Sequence, residues 1–275
     1  MKEIFIFGYP VKHSKSPQMQ NNAFLRAGLD YTYKAIEVVP QSLEENVDKL
    51  RSDNIAGANI TIPHKTEVIK YLDEISERSK LFGAVNTIIN KEGVLYGTST
   101  DSDGILDALL NKGIDPSKKK VCIIGAGGSG RTALYTLSAM SDSSVTLCAR
   151  SRAKAEILLN EFENSTTKKA SFAAIGSEKY FDTVSESDII INATPIGMEP
   201  DIASSPVPEK LIKSSHTVFD FVYAPRKTTL LCYAEKKGAE TIEGIDMLIF
   251  QGMKSFEMWT EVKAQKTWFS EVFNF

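Results

Sequence analysis

The sequence predicts an α/β protein of two domains, the second of which is a doubly wound parallel sheet. Three observations lead to this fold class. The chain has 275 residues, which is enough for two domains. From Val121 onward, short apolar runs alternate with helical patterns, as they do in a parallel sheet with crossover helices. A glycine-rich turn separates the first of these apolar runs from the helical pattern that follows it.

The glycine-rich turn lies in the segment VCIIGAGGSGRTA and indicates a Rossmann-type domain. Val121–Ile124 predicts a buried parallel strand, and Arg131–Met140 predicts a helix. Gly125, Gly127 and Gly130 have the G-x-G-x-x-G spacing, in which glycine permits a tight turn, the approach of a pyrophosphate and close helix–strand packing. Such a spacing also occurs in turns that serve only the fold, but its place between strand and helix favours dinucleotide binding.

The first hundred or so residues are interpreted as one α/β unit. Its strands are predicted at Ile4–Phe7, Thr32–Val39, Ala56–Ile62, Ala84–Asn90 and Val94–Thr98. Its helices are predicted from Pro17 to Gly28, at Ser42–Leu50, near Lys65–Leu72 and near Ser76–Leu81. Ser16 directly before Pro17 is typical of an N-cap followed by proline at the first helical position.

The rest of the chain alternates more regularly between strand and helix patterns. A helix at Asp103–Leu110 and a polar connector at Lys112–Lys120 lead to the central strand. Further strands are predicted at Val145–Ala149, Asp188–Asn192 and Thr217–Phe221. Further helices are predicted at Arg152–Phe162 and Lys227–Lys237. The tail, Met247–Phe275, is predicted to be helical.

Composition and charge restrict the class of partner. Hydrophobic residues make up 42% of the chain and charged residues 24%, and a net charge of −3 favours neither nucleic acid nor a membrane surface. No run approaches the roughly 18 apolar residues of a membrane span, and the N-terminal apolar run is too short for a signal peptide. Cys122, Cys148 and Cys232 lack metal-ligand spacing, and two of them lie in predicted core strands. We therefore expect a cytoplasmic protein with buried free thiols, no metal and a small-molecule partner.

The end of the second strand of the dinucleotide-binding domain predicts the cofactor. In such folds an acidic residue at this place binds the ribose 2′-hydroxyl of NAD. Here Cys148 is followed by Ala-Arg-Ser-Arg-Ala-Lys, which contains no acid but three cations, Arg150, Arg152 and Lys154. A guanidinium can bind the 2′-phosphate of NADP through two hydrogen bonds. We therefore expect NADP rather than NAD. The alternative is that these cations only lie in solvent at the start of a helix.

Polar side chains collect where the predicted strands and helices of the first domain begin or end. They are Ser14, Ser16, Asn59, Thr61, Lys65, Asn86, Thr100 and Asp101. Open α/β sheets bind ligands at the carboxyl ends of their strands, and hydroxyls, amides, one lysine and one aspartate suit a polyhydroxylated anion. Taken singly, each has an ordinary structural explanation: Ser16 caps a helix, Asn86 satisfies backbone groups and Lys65 lies in solvent.

Taken together, these residues and several later blocks resemble the shikimate dehydrogenase family, nearly from end to end. The blocks that carry the resemblance are HSKSP at His13–Pro17, GANITIPHK at Gly57–Lys65, GAVNT at Gly83–Thr87, GTSTD at Gly97–Asp101, GAGG at Gly125–Gly128, NAT at Asn192–Thr194, DFVY at Asp220–Tyr223, and Gly244 with Met247, Leu248 and Gln251. Each block is short, but their joint order and spacing are specific.

The resemblance implies reversible reduction of 3-dehydroshikimate to shikimate with NADPH, a step of aromatic amino acid biosynthesis. It implies that Lys65 acts at the C3 oxygen, with Asp101 beside it. The implied substrate-binding residues are Ser14, Ser16, Thr61, Asn86, Tyr223 and Gln251. The implied NADP-binding residues are Gly125, Ala126, Gly127, Gly128, Ser129, Arg150, Ser151, Lys154, Thr194, Phe221 and Gly244.

The resemblance also implies domain boundaries. A substrate domain of residues 1–101 and 246–275 includes a C-terminal helix that begins near Asp246 and returns to the first domain, and an NADP domain covers residues 102–245. We expect a monomer or a homodimer. Three alternatives stay open: a quinate/shikimate dehydrogenase that uses NAD or NADP, a methylenetetrahydrofolate dehydrogenase, and a non-catalytic NADP-binding regulator.

Four positions depart from the usual pattern of the family: Gln20, Ser99, Ala149 and Pro195. Ala149 removes one polar contact near the adenosine, which predicts weaker NADP binding. Gln20 still offers hydrogen bonds, and we expect it to lie outside the chemistry. Thr61 is the residue expected in shikimate-selective members, so it favours shikimate over quinate as substrate.

Overall fold

The structure, a computed structural model, describes residues 1–140 and 143–273. It consists of two compact units, one formed by Met1–Gly104 with Leu248–Phe275 and the other by Ile105–Met247. The chain therefore builds most of the first unit, then the second, and finally returns to the first. As a result, residues near position 250 share a unit with residues near position 86. Among the residues described, no helix combines the length and the apolarity needed to span a membrane.

The first unit is a mixed sheet with short helices. Its strands are β1 (Lys2–Gly8), β2 (Tyr31–Glu37), β3 (Ile55–Ile60), β4 (Glu74–Ile75), β5 (Thr87–Lys91) and β6 (Val94–Thr98). Its helices are α1 (Ser16–Arg26), α2 (Leu43–Lys49), α3 (Glu77–Phe82) and the start of α4 (Asp101–Asn111). Short 3₁₀ helices lie at Pro40–Ser42 and Glu67–Tyr71.

The pairing of β3, β5 and β6 determines where the polar residues of this unit meet. The strand order is β2-β1-β3-β5-β6-β4. β1 pairs in parallel with β2 and β3, whereas β3 pairs antiparallel with β5, and β5 with β6. Thr87, at the start of β5, therefore lies opposite Asn59 near the end of β3 and opposite Thr98 at the end of β6. A turn at Lys91–Gly93 connects β5 to β6, with both Glu92 and Gly93 at positive φ.

The second unit is a wholly parallel sheet flanked by helices. Its strands are β7 (Lys120–Ile124), β8 (Ser144–Ala149), β9 (Ser171–Ala174), β10 (Ile189–Asn192), β11 (Thr217–Asp220) and β12 (Glu240–Ile242). Its helices are α5 (Gly128–Ser138), α6 (Arg152–Ser165), α7 (Glu178–Glu186) and α8 (Thr229–Lys236), with a 3₁₀ helix at Glu209–Leu211.

The sheet order in the second unit is β12-β11-β10-β7-β8-β9, with every pairing parallel. The order reverses at β7, which lies between β8 and β10. Ligands of such sheets bind outside the carboxyl ends of the strands at this reversal. This topology confirms the predicted Rossmann-type doubly wound sheet.

The prediction that Ser16 caps α1 is wrong. Ser16 is itself the first helical residue, Lys15 is the N-cap, and no side-chain hydrogen bond caps the helix. The backbone N–H of Ser16 instead donates to Oγ of Ser14 across 3.3 Å. Proline is tolerated within the first turn of a helix, so Pro17 allows the helix to begin one residue earlier than predicted.

The predicted helical tail is correct only in part. α9 (Gly244–Thr260) begins in the second unit and ends in the first, and α10 (Lys266–Ser270) and a 3₁₀ helix at Glu271–Phe273 follow. The tail is not one helix, because Glu261 has a left-handed φ of 57° that ends α9. The last two residues of the predicted tail, 274 and 275, lie outside the described residues.

Several elements of the second half were not predicted. They are β9, α7 and β12. α7 had a readable signal, because Ser177 caps it by accepting the N–H of Tyr180, and Tyr180 and Val184 form its buried face at helical spacing. β9 and β12 are short strands that depend on their sheet neighbours rather than on a pattern of their own.

Candidate active site

Lys65 and Asp101 form an ion pair in the first unit. Lys65 lies five residues after the end of β3, and Asp101 is the first residue of α4, three residues after the end of β6. The Lys65 Nζ lies 2.5 Å from Oδ2 of Asp101, and the two side chains are 32% and 14% exposed. The pair is therefore partly shielded from water yet still reachable by a ligand. The N-terminal end of α4 also favours a carboxylate at this position.

Asn86 fixes the second oxygen of the Asp101 carboxylate. Its Nδ2 donates to Oδ1 of Asp101 across 2.7 Å. The orientation of the amide follows from the backbone N–H of Thr100, which can only donate and does so to Oδ1 of Asn86 across 2.8 Å. Nδ2 must therefore point at Asp101. Both carboxylate oxygens of Asp101 thus have a partner supplied by the first unit.

A buried group of polar side chains lies behind Asn86. The hydroxyls of Thr87, Thr100 and Ser255 lie within hydrogen-bonding distance of one another. Nδ2 of Asn59 donates to the Asn86 carbonyl across 2.9 Å, and the hydroxyl of Tyr33 donates to Oδ1 of Asn59 across 2.7 Å. This group connects the ends of β3 and β6 to the start of β5.

Gln251 reaches the same group from α9. Its Nε2 donates to the Leu248 carbonyl across 2.9 Å, which leaves Oε1 at 3.4 Å from Nδ2 of Asn86. Gln251 belongs to the first unit although it follows the whole of the second in the sequence. The structure therefore brings together four of the predicted residues: Lys65, Asn86, Asp101 and Gln251.

The two predicted serines and Thr61 also belong to the first unit. Burial raises the pKa of the Tyr33 hydroxyl well above its usual range, and a hydrogen bond with Ser16 opposes part of that rise. Ser16 is thereby connected to Asn59 through Tyr33. Within the part of the chain that the structure describes, Ser14 and Thr61 make no hydrogen bond to the Lys65–Asp101 pair. The Thr61 methyl packs so closely on Gly8 that a Cβ there would lie 2.4 Å from it.

The glycine turn after β7 has the geometry that its spacing predicts. Gly125 has a φ of +116°, and a Cβ at Gly130 would lie 1.9 Å from the Gly125 carbonyl oxygen, so close helix–strand packing requires glycine there. At Gly127 and Gly128, by contrast, an added Cβ would meet nothing within 4 Å. These two glycines and Ser129 are exposed at the start of α5. The free backbone at this helix N-terminus fits a pyrophosphate.

The three cations after β8 differ in their partners. Arg152 pairs with Glu156 at 3.1 Å and lies 5.1 Å from the centre of the Phe172 ring. Across residues 1–140 and 143–273, Arg150 and Lys154 have no ion-pair partner, and both side chains are exposed. Ser151 caps α6 by accepting the N–H of Lys154 across 3.3 Å. Arg150 and Lys154 are therefore the cations free to bind a phosphate.

A second buried network lies where β10 and β11 end. The Asp220 carboxylate accepts hydrogen bonds from Nδ2 of Asn192, the hydroxyl of Thr228 and the N–H of Val222, at 2.9, 2.6 and 3.0 Å. Burial raises the pKa of Asp220 to about 6, although these hydrogen bonds oppose the rise. The network holds in place the loops that carry the remaining predicted residues of this unit.

Those remaining residues are Thr194, Phe221, Tyr223 and Gly244. Thr194 donates through both its N–H and its hydroxyl to Oδ1 of Asn192. A Cβ at Gly244 would lie 2.6 Å from the Phe221 carbonyl oxygen, so glycine permits α9 to start against this loop. Tyr223 is 37% exposed, and burial of the rest of its side chain raises the pKa of the phenol.

Comparison with known proteins identifies the family of this chain. Residues 6–88 match the family model described as the shikimate dehydrogenase substrate binding domain. Residues 108–226 match the model described as shikimate / quinate 5-dehydrogenase. The chain belongs to the shikimate dehydrogenase family. The predicted resemblance is confirmed.

Individual members of the shikimate dehydrogenase family are similar over nearly the whole chain. The NADP(+) shikimate dehydrogenase of Dehalococcoides mccartyi is 42% identical over 259 residues, which cover 94% of this chain and 90% of that protein. A crystal structure of a shikimate dehydrogenase in complex with NADP+ matches with a TM-score of 0.92 and 38% identity, covering 98% of this chain and 94% of the other. The Listeria monocytogenes shikimate 5-dehydrogenase in complex with shikimate and NAD matches with a TM-score of 0.94 and 35% identity, covering 100% and 96%.

One departure from the usual pattern of the shikimate dehydrogenase family has a clear structural role. Gln20 is fully buried, and its Nε2 donates to the Gly252 carbonyl across 2.9 Å, so it holds α1 against α9 next to Gln251. Ser255, which joins the hydroxyl group behind Asn86, was missed by the sequence reasoning. Its only signal was a serine four residues after Gln251 on an otherwise apolar helix face. Among residues 1–140 and 143–273, no group of acidic, histidine or cysteine side chains could hold a metal ion.

Proposed function

We propose that the chain catalyses the reversible, NADPH-dependent reduction of 3-dehydroshikimate to shikimate, a step of aromatic amino acid biosynthesis. The observation that carries the proposal is the Lys65–Asp101 pair, with both carboxylate oxygens held and the ammonium still accessible, in a chain of this family. A ketone that gains a hydride develops negative charge on its oxygen. A positioned ammonium stabilises that charge and supplies the proton.

Lys65 is the proposed catalytic residue. When bound, NADPH supplies the hydride that the ketone carbon receives. The Lys65 ammonium donates a proton to the C3 oxygen during reduction, and its amine takes that proton back during oxidation. Asp101 orients the ammonium through the 2.5 Å contact, and it accepts a hydrogen bond from a ring hydroxyl. The two oxygens of Asp101 are fixed before the substrate arrives, which reduces the reorganisation needed during reaction.

The remaining polar residues bind the substrate in this proposal. Ser14 and Ser16 hold the substrate carboxylate at the start of α1. The ring hydroxyls are bound, or the site is lined, by Thr61, Asn86, Tyr223 and Gln251. What supports these assignments is that Asn86 and Gln251 already share a hydrogen-bonded group with Asp101.

The proposed NADP-binding residues surround the carboxyl ends of the strands in the second unit. The backbone of the turn, namely Gly125, Ala126, Gly127, Gly128 and Ser129, binds the pyrophosphate. Arg150 and Lys154 bind the 2′-phosphate beside Ser151, and Thr194, Phe221 and Gly244 line the rest of the site. The open space above Gly127 and Gly128 supports this assignment, as do Arg150 and Lys154, which have no ion-pair partner among residues 1–140 and 143–273.

The proposal assigns one role to each domain. A substrate-binding and catalytic domain comprises residues 1–101 and 246–275, and an NADP-binding domain comprises residues 102–245. The compact units, Met1–Gly104 with Leu248–Phe275 and Ile105–Met247, support these boundaries. We also propose a cytoplasmic monomer or homodimer. Two buried free thiols, Cys122 and Cys148, suit a reducing compartment.

The main competing function is oxidation of quinate, or the use of NAD. The family description that matches residues 108–226 covers quinate as well as shikimate enzymes. The end of β8 argues against NAD, because it carries Arg150 and Lys154 and no acid that would bind a ribose 2′-hydroxyl. A non-catalytic regulator is disfavoured because the Lys65–Asp101 pair is complete.

The test is absorbance at 340 nm with purified protein, shikimate or quinate, and NADP+ or NAD+. We expect the highest kcat/KM for shikimate with NADP+. A higher kcat/KM for quinate, or for NAD+ as cofactor, would select the competing dehydrogenase. Folded protein that binds NADPH but reduces neither cofactor with either substrate would select the regulator.

A further inference from the structure

Ser255 of α9 is a fully buried residue that the proposed reaction does not use. Its Oγ lies 2.9 Å from Oγ1 of Thr87 and 3.1 Å from Oγ1 of Thr100. Nδ2 of Asn59 lies 3.2 Å from it and 3.1 Å from Oγ1 of Thr87. A buried hydroxyl is expected to be hydrogen-bonded, and here its polar neighbours come from three separate parts of the chain. Its role as donor or acceptor in each contact follows from the hydrogens that are available.

Each hydroxyl has one hydrogen to donate, and this limit decides which group donates in each contact. The Thr87 hydroxyl donates to Oδ1 of Asn86 across 2.8 Å, and its one hydrogen is then used. In its contact with Thr87, Ser255 is therefore the donor. In its contact with Thr100 at 3.1 Å it accepts from a hydroxyl whose other acceptors, Oδ1 of Asn86 at 3.2 Å and Oε1 of Gln251 at 3.5 Å, are longer. Nδ2 of Asn86 donates to the Thr100 hydroxyl across 3.1 Å and closes the ring. The Gln251 carbonyl, at 3.1 Å, is the longer competing acceptor for the Ser255 hydrogen.

The ring runs from Asn86 through Thr100, Ser255 and Thr87 and returns to Asn86. Each hydroxyl in it donates once and accepts at least once, so every member restricts the orientation of the next. The amide that the ring fixes is also the one that donates to Asp101 across 2.7 Å. Asp101 in turn holds the Lys65 ammonium at 2.5 Å.

We propose that Ser255 is a positioning residue for the reaction: its hydroxyl closes the ring of hydrogen bonds that fixes the Asn86 carboxamide and, through it, Asp101 and Lys65. The proposal rests on the proposed function, because it gives Ser255 a task at the proposed catalytic pair. It also explains how α9, which crosses from the second unit into the first, contributes to the site beyond Gln251.

Ser255→Ala removes the hydroxyl and leaves the rest of the ring in place. The Thr87 hydroxyl then loses the donor that Ser255 supplied, and the Thr100 hydrogen turns to Oδ1 of Asn86 at 3.2 Å. The cooperative ring that restrains the Asn86 amide is thereby broken. Because one buried hydrogen bond is lost, we expect kcat to fall roughly 3- to 10-fold. The KM for NADP+ should stay within about twofold, since the ring touches none of the proposed NADP-binding residues.

Thr260→Val is the matched control on the same helix. Thr260 donates to the Phe256 carbonyl across 2.8 Å, the same four-residue spacing that joins Ser255 to Gln251, but it has no contact with the ring. We expect its kcat to match that of the unchanged protein. An equal fall in kcat for Thr260→Val would mean that helix stability, rather than the ring, is what is being measured.

A double-mutant cycle tests whether Ser255 acts through Asn86. If it does, Ser255→Ala lowers kcat in the unchanged protein but has little further effect in an Asn86→Ala background. Independent, multiplying losses would overturn the proposal. Should Ser255→Ala not fold, the pair Thr87→Val and Thr87→Ser probes the same ring. Thr87→Val breaks the ring and should lower kcat, whereas Thr87→Ser keeps the hydroxyl and should restore it.

A readout that needs no turnover separates this proposal from the proposed function. The side-chain amide of Asn86 should exchange its hydrogens with solvent faster in Ser255→Ala than in the unchanged protein, as measured by ¹⁵N NMR. Unchanged exchange together with unchanged kcat would overturn the positioning role. If the unchanged protein does not oxidise shikimate at all, the proposed function fails, and the amide exchange still decides whether Ser255 fixes Asn86.

Discussion

In the first unit, the Asp101 carboxylate has a partner at each oxygen, Lys65 at one and Asn86 at the other. In the second unit, Arg150 and Lys154 have no ion-pair partner within residues 1–140 and 143–273. Likewise, the first unit fills the space behind Asn86 with hydroxyls, whereas the second leaves open space beside Gly127. The two regions therefore differ in whether their charged side chains already have partners supplied by the protein itself.

The difference teaches which groups the protein orients and which it leaves for a ligand. A proton donor must be held in a defined geometry before reaction, and buried hydrogen bonds provide that geometry. A phosphate-binding cation already paired with a carboxylate would have to give up that partner first. Arg152 is paired in this way with Glu156, and it serves as an internal reference for Arg150 and Lys154.

The largest expected effect is that of Lys65→Ala. Removing a positioned acid or base is expected to lower kcat by roughly 10²- to 10⁴-fold, with little change in the affinity for shikimate. Steady-state absorbance at 340 nm measures kcat, and titration calorimetry measures shikimate binding. Lys80→Ala is the control, because Lys80 pairs with Glu77 on the surface of α3. A Lys65→Ala protein with nearly normal kcat would remove Lys65 from the mechanism.

Asp220 extends the comparison, because its carboxylate lies in the second unit and yet accepts three hydrogen bonds from the protein itself. Its folded-state pKa of about 6 lies above the ordinary 3.8, chiefly because of burial. A raised carboxyl pKa contributes stability that is fully present below the unfolded pKa and is lost as pH rises through the folded one. Asp220→Asn removes this dependence. Relative to the variant, the unchanged protein should lose roughly 3 kcal/mol of unfolding free energy between about pH 4 and pH 7.

Denaturant unfolding at several pH values measures this difference, and Asp115→Asn provides a control of opposite sign. The N–H of Ser117 donates to the exposed Asp115 carboxylate across 2.9 Å and lowers its pKa. Its contribution is present above the unfolded pKa and is lost as pH falls through the folded one. A stability difference between the unchanged protein and Asp220→Asn that does not vary with pH would contradict the account of Asp220.

Arg150→Gln tests the contrast between Arg150 and the paired Arg152 in the basic segment Arg150–Lys154. Loss of a charge-assisted hydrogen bond to the 2′-phosphate should raise the KM for NADP+ roughly 10- to 100-fold. The KM for NAD+, which lacks that phosphate, should change much less. Arg152→Gln should leave both values nearly unchanged, because Arg152 is engaged by Glu156 and Phe172. If the two variants behave alike, the free and paired cations do not differ in function.

The parts of the fold that local patterns specify were predictable. The glycine turn, the strand Val121–Ile124 and the alternation that follows it led to the parallel sheet, and the structure confirms it. Two of the missed elements, β9 and β12, depend on neighbours, because each pairs only at an edge of that sheet. The start of α1 was misplaced because Ser16 and Pro17 fit an N-cap pattern as well as the first turn.

Part of the candidate site could not be predicted from local patterns in the sequence. Lys65, Asn86 and Asp101 each follow or precede a strand that could be read from the sequence. Ser255 could not be found this way, because its place beside Thr87 depends on how α9 packs on the first unit, 168 residues further along the chain. The burial of Asp220 is likewise a property of the packed sheet, and a short DFVY block does not reveal it.

The most direct test follows the hydrogen itself. Shikimate carrying deuterium at C3 is incubated with NADP+ and the purified protein, and the reduced cofactor is analysed by mass spectrometry. We expect NADPH that is one mass unit heavier than the unlabelled cofactor, because the hydride leaves C3 as Lys65 takes the hydroxyl proton. Recovery of unlabelled NADPH, or of no reduced cofactor from folded protein, would contradict the account.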